Sequence, residues 1–121
     1  MTTSELQASV RERDGMAVID LTGDLNSSAE DALNEAYAKA TGGGAGAVVL
    51  NFERAEYINS TGIALIVGLL AQARANGVEM KAFGLSDHYR EIFEITRLAD
   101  FMTIADNEER AVTGVERSND A

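Results

Sequence analysis

The sequence predicts a small α/β domain: an opening β-hairpin, then alternating helices and mainly parallel strands in a small mixed sheet. Three observations carry this. Asp14-Gly15 separates two strand-like runs, and that dipeptide is a strong signal for a tight hairpin turn. Residues 47–52 form a short, continuous apolar run rich in valine, as expected of a strand covered on both faces. Helix-period stretches then separate the later strands, which must therefore run parallel, joined by crossovers that lay helices on the sheet. The 121 residues suit a single domain over 1–121, with 1–4 and 114–121 expected to be flexible.

Taken in order, residues 6–13 alternate, with Leu6, Ala8 and Val10 against Gln7, Ser9 and Arg11, which marks a half-buried strand. Residues 16–21 return, and Thr22-Gly23-Asp24-Leu25-Asn26 is expected to break the run. Asn26, Ser27 or Ser28 can cap the next helix, whose first turn holds Glu30 and Asp31, where the helix dipole favours acids. Ala29, Leu33, Ala36, Tyr37 and Ala40 recur at helical spacing. Residues 41–46, rich in glycine, lack the Gly-Lys-Ser/Thr ending of a phosphate loop and follow a helix instead of preceding one. They read as a helix cap and connector.

The strand at 47–52 runs through the polar link Glu53-Arg54-Ala55-Glu56 into the stretch that organises the chain, residues 57–70. Asn59, Ser60 and Thr61 are residue types whose side-chain oxygens accept the first free N–H groups of a helix. The helix that follows is apolar almost all round. Ile63, Ile66, Val67 and Leu70 are expected to face the sheet, and Leu65 and Leu69 to be partly exposed and available to a partner. Asn76-Gly77 closes the helix. Residues 78–83 then read as a strand, and a third helix carries Tyr89, Ile92, Phe93 and Thr96 on one face. Residues 101–104 suggest a short last strand. A final helix starts at Asp106-Asn107-Glu108-Glu109, and the tail from Gly114 is polar.

Composition narrows the function. A net charge of −10 and a pI near 4.4 argue against nucleic acid and anionic membrane, both of which reward Lys and Arg. No apolar run approaches the ~20 residues needed to span a bilayer. The N-terminus has neither a basic start nor an apolar core, so the expected location is the cytoplasm. There is no cysteine, and His88 is the only histidine, with no carboxylates at ligand spacing around it, so no metal and no cofactor are expected. Ser60 is not in a Gly-x-Ser-x-Gly elbow, and no carboxylate pair stands out, so no catalytic residue is assigned and the chain reads as a non-enzyme. What remains is two hydroxyls at a helix start. They can serve as caps, and they can also take a phosphoryl group of about −1.5 to −2 charges, which a helix N-terminus stabilises.

Three pieces resemble the anti-sigma factor antagonist family, the small bacterial STAS domains. They are Leu21-Thr22-Gly23-Asp24-Leu25-Asn26 after a hairpin; Val48-Val49-Leu50-Asn51-Phe52, a short link, and Tyr57-Ile58-Asn59-Ser60-Thr61-Gly62-Ile63; and Phe93-Glu94-Ile95-Thr96-Arg97-Leu98 followed by Phe101. The resemblance spans about residues 16–112. It implies a regulator in a partner-switching pathway that binds an anti-sigma factor, itself an ATP-dependent serine kinase, and so frees a sigma factor. The kinase phosphorylates the serine at the start of the second helix, here Ser60 with Thr61 beside it, and a serine phosphatase resets it. The partner-binding set implied is Asn26, Asn59, Ser60, Thr61, Gly62, Leu65 and Leu69. Two positions depart from the family pattern: Asn59 and Asn26 stand where members usually carry Asp, removing two negative charges near the site. The rival readings are a non-switching STAS-type scaffold or interaction module and, behind it, a nucleotide-binding module.

Overall fold

The computed structural model describes residues 5–113. The expected flexible ends, 1–4 and 114–121, lie outside the described residues. Strand β1 (Gln7–Arg13) pairs antiparallel with β2 (Met16–Leu25) in unbroken register from Gln7↔Thr22 to Arg13↔Met16. Asp14 and Gly15 make the turn with φ of 52° and 81°, the two positive values that a tight hairpin turn needs. A short 3₁₀ turn (Ser27–Ala29) leads into α1 (Glu30–Thr41). Next come β3 (Ala47–Ile58), α2 (Ser60–Ala75), β4 (Glu79–Phe83), α3 (Asp87–Ile95), β5 (Thr103–Ala105) and α4 (Glu108–Thr113). The sheet order is β1-β2-β3-β4-β5, and every pair after the hairpin is parallel. The small mixed α/β sheet expected from the sequence is the observed one.

Two strands run further than the sequence suggests. β2 does not stop at Leu21: it continues to Leu25, with register shifts around Thr22 and Gly23, the latter at φ 108°. The turn-like composition of 22–26 reflects that irregularity. β3 likewise absorbs the polar link at 53–56, because Arg54, Ala55, Tyr57 and Ile58 pair with the extended end of β2. β4 pairs β3 only as far as Asn51↔Phe83, so Glu53, Arg54, Glu56 and Tyr57 stay exposed and can be polar. The last strand is Thr103–Ala105, starting two residues later than expected and ending one later, and Phe101 lies before it, 51% exposed beneath the Arg74 guanidinium at 5.0 Å.

One face of the sheet carries the main core. Ile19, Leu21, Leu25, Val48 and Leu50 pack with Leu33, Ala36 and Tyr37 of α1, with Ile66, Leu69, Leu70 and Ala73 of α2, and with Phe93 of α3. Phe93 meets Phe52 edge to face at 5.8 Å. Each such large side chain removed from water contributes about 1.5–3 kcal/mol. The opposite face holds a smaller cluster, Val18, Val49, Phe83, Ala105 and Ala111, under the short α4. Charges fasten that helix. Glu108 accepts from both Arg11 (2.8 Å) and Arg13 (2.9 Å), Arg11 also donates to Asp20 (2.7 Å), and Asn51 Nδ2 donates to Asp20 (2.8 Å). Buried Lys81 donates from Nζ to the carbonyl of Ala111 at 3.0 Å, where the helix dipole favours a cation. The arginines hold Glu108 down to about 2, against an ordinary carboxylate value of 4.5, and Arg11 lowers Asp20 in the same way.

Candidate functional site

The end of β3 and the start of α2 are set against the end of β2. Leu25 pairs with Ile58, and the N–H of Asn59 donates to the Leu25 carbonyl at 3.2 Å. Asn59 is then the cap of α2: its backbone is extended, its Oδ1 accepts from the Gly62 N–H at 2.8 Å, and its carbonyl takes the Ile63 N–H at 3.0 Å. Gly62 is buried directly on Leu25. An added Cβ would sit 2.8 Å from the Leu25 carbonyl carbon and 3.0 Å from its Cβ, closer still to the oxygen. Glycine is thus required here by the close approach of helix to strand.

Because Asn59 does the capping, Ser60 and Thr61 are left as the first two residues of the helix, both exposed. No hydrogen bond within the described residues ties either hydroxyl down. Directly after Leu25, Asn26 caps the 3₁₀ turn ahead of α1, its Oδ1 accepting from the N–H (3.0 Å) and the hydroxyl (2.7 Å) of Ser28. The fold therefore brings Asn26, Asn59, Ser60, Thr61 and Gly62 together at one end of the sheet, where two helix starts meet. Tyr57, 56% exposed, stands nearby, opposite Asp24.

The expected faces of α2 need correction. Leu69 is only 2% exposed and belongs to the core, so it cannot be a partner contact in this structure. Val67, expected on the sheet, is 46% exposed. The buried set is Gly62, Ile66, Leu69, Leu70 and Ala73, while Ile63 and Leu65 are intermediate. The error is one of phase. Large apolar residues surround the helix and do not set its rotation, whereas the small Gly62 and Ala73 mark the side that touches backbone. Leu65 lies with Ala64 and Gly68 along a groove of about 350 Å³ shared with Glu30 and Asn34 of α1. On the other flank Val67, Arg74 and Phe101 line a second groove of about 250 Å³, which the sequence reading did not single out.

His88 is exposed at the start of α3, its ring edge-on to Tyr89 at 4.9 Å. Among the described residues no group of histidines and acids is placed to hold a metal, and no helix is long and apolar enough to cross a membrane.

Residues 7–111 match the family model described as the STAS domain. The chain belongs to the STAS domain family. It is 32% identical over 98 residues to a putative anti-sigma factor antagonist, BtrV, of Bordetella bronchiseptica, covering 81% of this chain and 84% of that one. It is 37% identical over 62 residues to an anti-sigma-B factor antagonist of Staphylococcus aureus, a match over 51% of this STAS chain and 57% of the relative's length. Among solved structures it resembles the Bacillus cell fate determinant SpoIIAA in its phosphorylated form, with a TM-score of 0.67, 25% identity, and coverage of 89% of this chain and 98% of that one.

Proposed function

We propose that this STAS domain is an anti-sigma factor antagonist: a non-catalytic regulator that binds an anti-sigma factor, itself a serine kinase, and is released when Ser60 is phosphorylated. The observation that carries the reading is the division of labour between Asn59 and Ser60. Asn59 satisfies the helix start, so the Ser60 hydroxyl is exposed and, among the described residues, without a hydrogen-bond partner at the positive end of a sixteen-residue helix. A phosphoryl group there displaces no core residue, and the helix dipole favours it. An interface closing over that end would instead have to desolvate a dianion without a partner, which costs several kcal/mol and hence orders of magnitude in affinity. The same site can thus hold the fold constant and change the binding.

Asn26, Asn59, Thr61, Gly62 and the half-exposed Leu65 form the surrounding contact surface in this reading. Asn26 and Asn59 bring no charge of their own beside the phosphate. A serine phosphatase resets the site. The test is to incubate the protein with its cognate anti-sigma factor and ATP and to locate the phosphate by mass spectrometry. Phosphate on Ser60 supports the proposal. Phosphate confined to Thr61, or none from a kinase that binds the protein, rejects it.

A further inference from the structure

The sheet has two edges, and they are unequal. β5 offers three residues at one edge, whereas β1 offers seven at the other, with no bulge and no proline. The hairpin geometry says which backbone groups on β1 are free. Asp14-Gly15 is a two-residue turn, so the closing pair Arg13↔Met16 is a hydrogen-bonded one, and the alternation of an antiparallel ladder follows from it. Arg13, Arg11, Ser9 and Gln7 direct their N–H and C=O groups at β2. Glu12, Val10 and Ala8 direct theirs outward, where among the described residues no strand pairs with them.

The side chains of the same three residues point towards α1. Ala8 and Val10 are half-buried and pack on the main core. They line a shallow pocket with Ala32, Glu35, Ala36 and Lys39, which continues past Val10 into a cavity of about 450 Å³ reaching Glu12, Met16 and Ala45. Free backbone groups and a partly filled apolar trough therefore run side by side along one edge. Charged or bulged residues are the usual protection of such an edge; β1 has no bulge, and its charges, Arg11, Glu12 and Arg13, all lie in its second half. Among the described residues neither Glu12 nor Lys39 has an ion-pair partner.

We infer that the β1 edge pairs with the β1 edge of a second copy, antiparallel about a two-fold axis at Val10, giving a continuous ten-stranded sheet. The strand's own sequence fits this register. Val10 meets Val10 on the axis, Ala8 faces Glu12, Ser9 faces Arg11, and Gln7 faces Arg13, so no like charges stand directly opposite. Placing the second copy's Glu12 beside Ala8 brings its carboxylate to the pocket that Ala8 shares with Lys39 and Glu35, where Lys39 supplies the opposite charge across the interface. β2 lies between this edge and β3, the strand that leads to Ser60, so the inference stands apart from the switch and holds whether or not Ser60 is modified.

The test is sedimentation equilibrium on the full chain at about 0.15 M salt. The expected result is a monomer–dimer equilibrium in the micromolar range. Val10→Pro removes one outward N–H without touching a bond to β2, and Val10→Lys puts like charges on the axis; each should weaken the dimer at least about tenfold. Glu12→Lys and Lys39→Glu should each weaken it, and the double variant should restore it. These two exposed positions keep the test valid if a Val10 variant unfolds. A chain that is monomeric at about 1 mM, or a dimer that none of these variants changes, overturns the inference.

Discussion

Gly62 rests on Leu25 so closely that the start of α2 and the end of β2 form one interlocked piece. The contact is to backbone, which cannot swing away. Gly62→Ala should therefore cost at least about 1–3 kcal/mol, the range for forcing an extra carbon into a packed site. Gly68, on the same helix, meets nothing within 4 Å. Gly68→Ala should stabilise by up to about 1 kcal/mol through helix propensity. Urea melts of the pair decide it: equal effects at both positions would mean that the interlock is absent.

The rotation of α2 makes a second prediction. Ile66→Ala and Leu69→Ala should each cost about 2–5 kcal/mol, since both side chains are nearly inaccessible. Val67→Ala should cost less than about 1 kcal/mol. A large loss at Val67 with a small one at Leu69 would restore the opposite phase.

Asn59 has separable roles. Asn59→Ala removes the acceptor for the Gly62 N–H and should cost about 0.5–2 kcal/mol. Asn59→Asp keeps an acceptor, so stability should hold, but the added charge beside Ser60 should slow phosphate transfer to it. Thr61→Ala, which removes no cap, should change stability by less than about 0.5 kcal/mol. Thermal melts and single-turnover phosphorylation rates measure these. Faster transfer to the Asp variant would contradict the electrostatic argument.

The clasp of Glu108 predicts an acid response. Its pKa is depressed in the folded protein to about 2, below the ordinary 4.5, so its contribution is present above the latter and is lost as pH falls towards the former. Glu108→Gln should therefore flatten stability against pH between those values and leave α4 easier to detach. Hydrogen exchange at Ala111 and Val112, followed across that range in both proteins, reports it. Identical pH profiles would show that the ion pairs with Arg11 and Arg13 add nothing.

The fold was largely legible because its signals are local: the Asp14-Gly15 turn, the apolar run at 47–52, and glycine after each of the first two helices. The strand-to-helix geometry of the candidate site was legible for the same reason, since cap-type residues between a strand and an apolar helix fall within five positions. What the sequence hid is non-local. The polar half of β3 does not look like a strand until the extended end of β2 lies beside it. Val67 and Leu69 exchange places because an all-apolar helix has no periodicity to fix its rotation. Glu108 meets Arg11 across 97 residues, and no pattern within either segment announces it.

The measurement that bears most directly on the whole account is the affinity of the anti-sigma factor for this protein with and without phosphoserine at position 60, the modified form made by direct incorporation so that no kinase is needed. Calorimetry should show tight binding to the unmodified chain and to Ser60→Ala, weak binding to Ser60→Asp, and loss of at least about a hundredfold on phosphorylation, while circular dichroism shows an unchanged fold. Equal affinity for the two forms would contradict the claim that Ser60 is the switch.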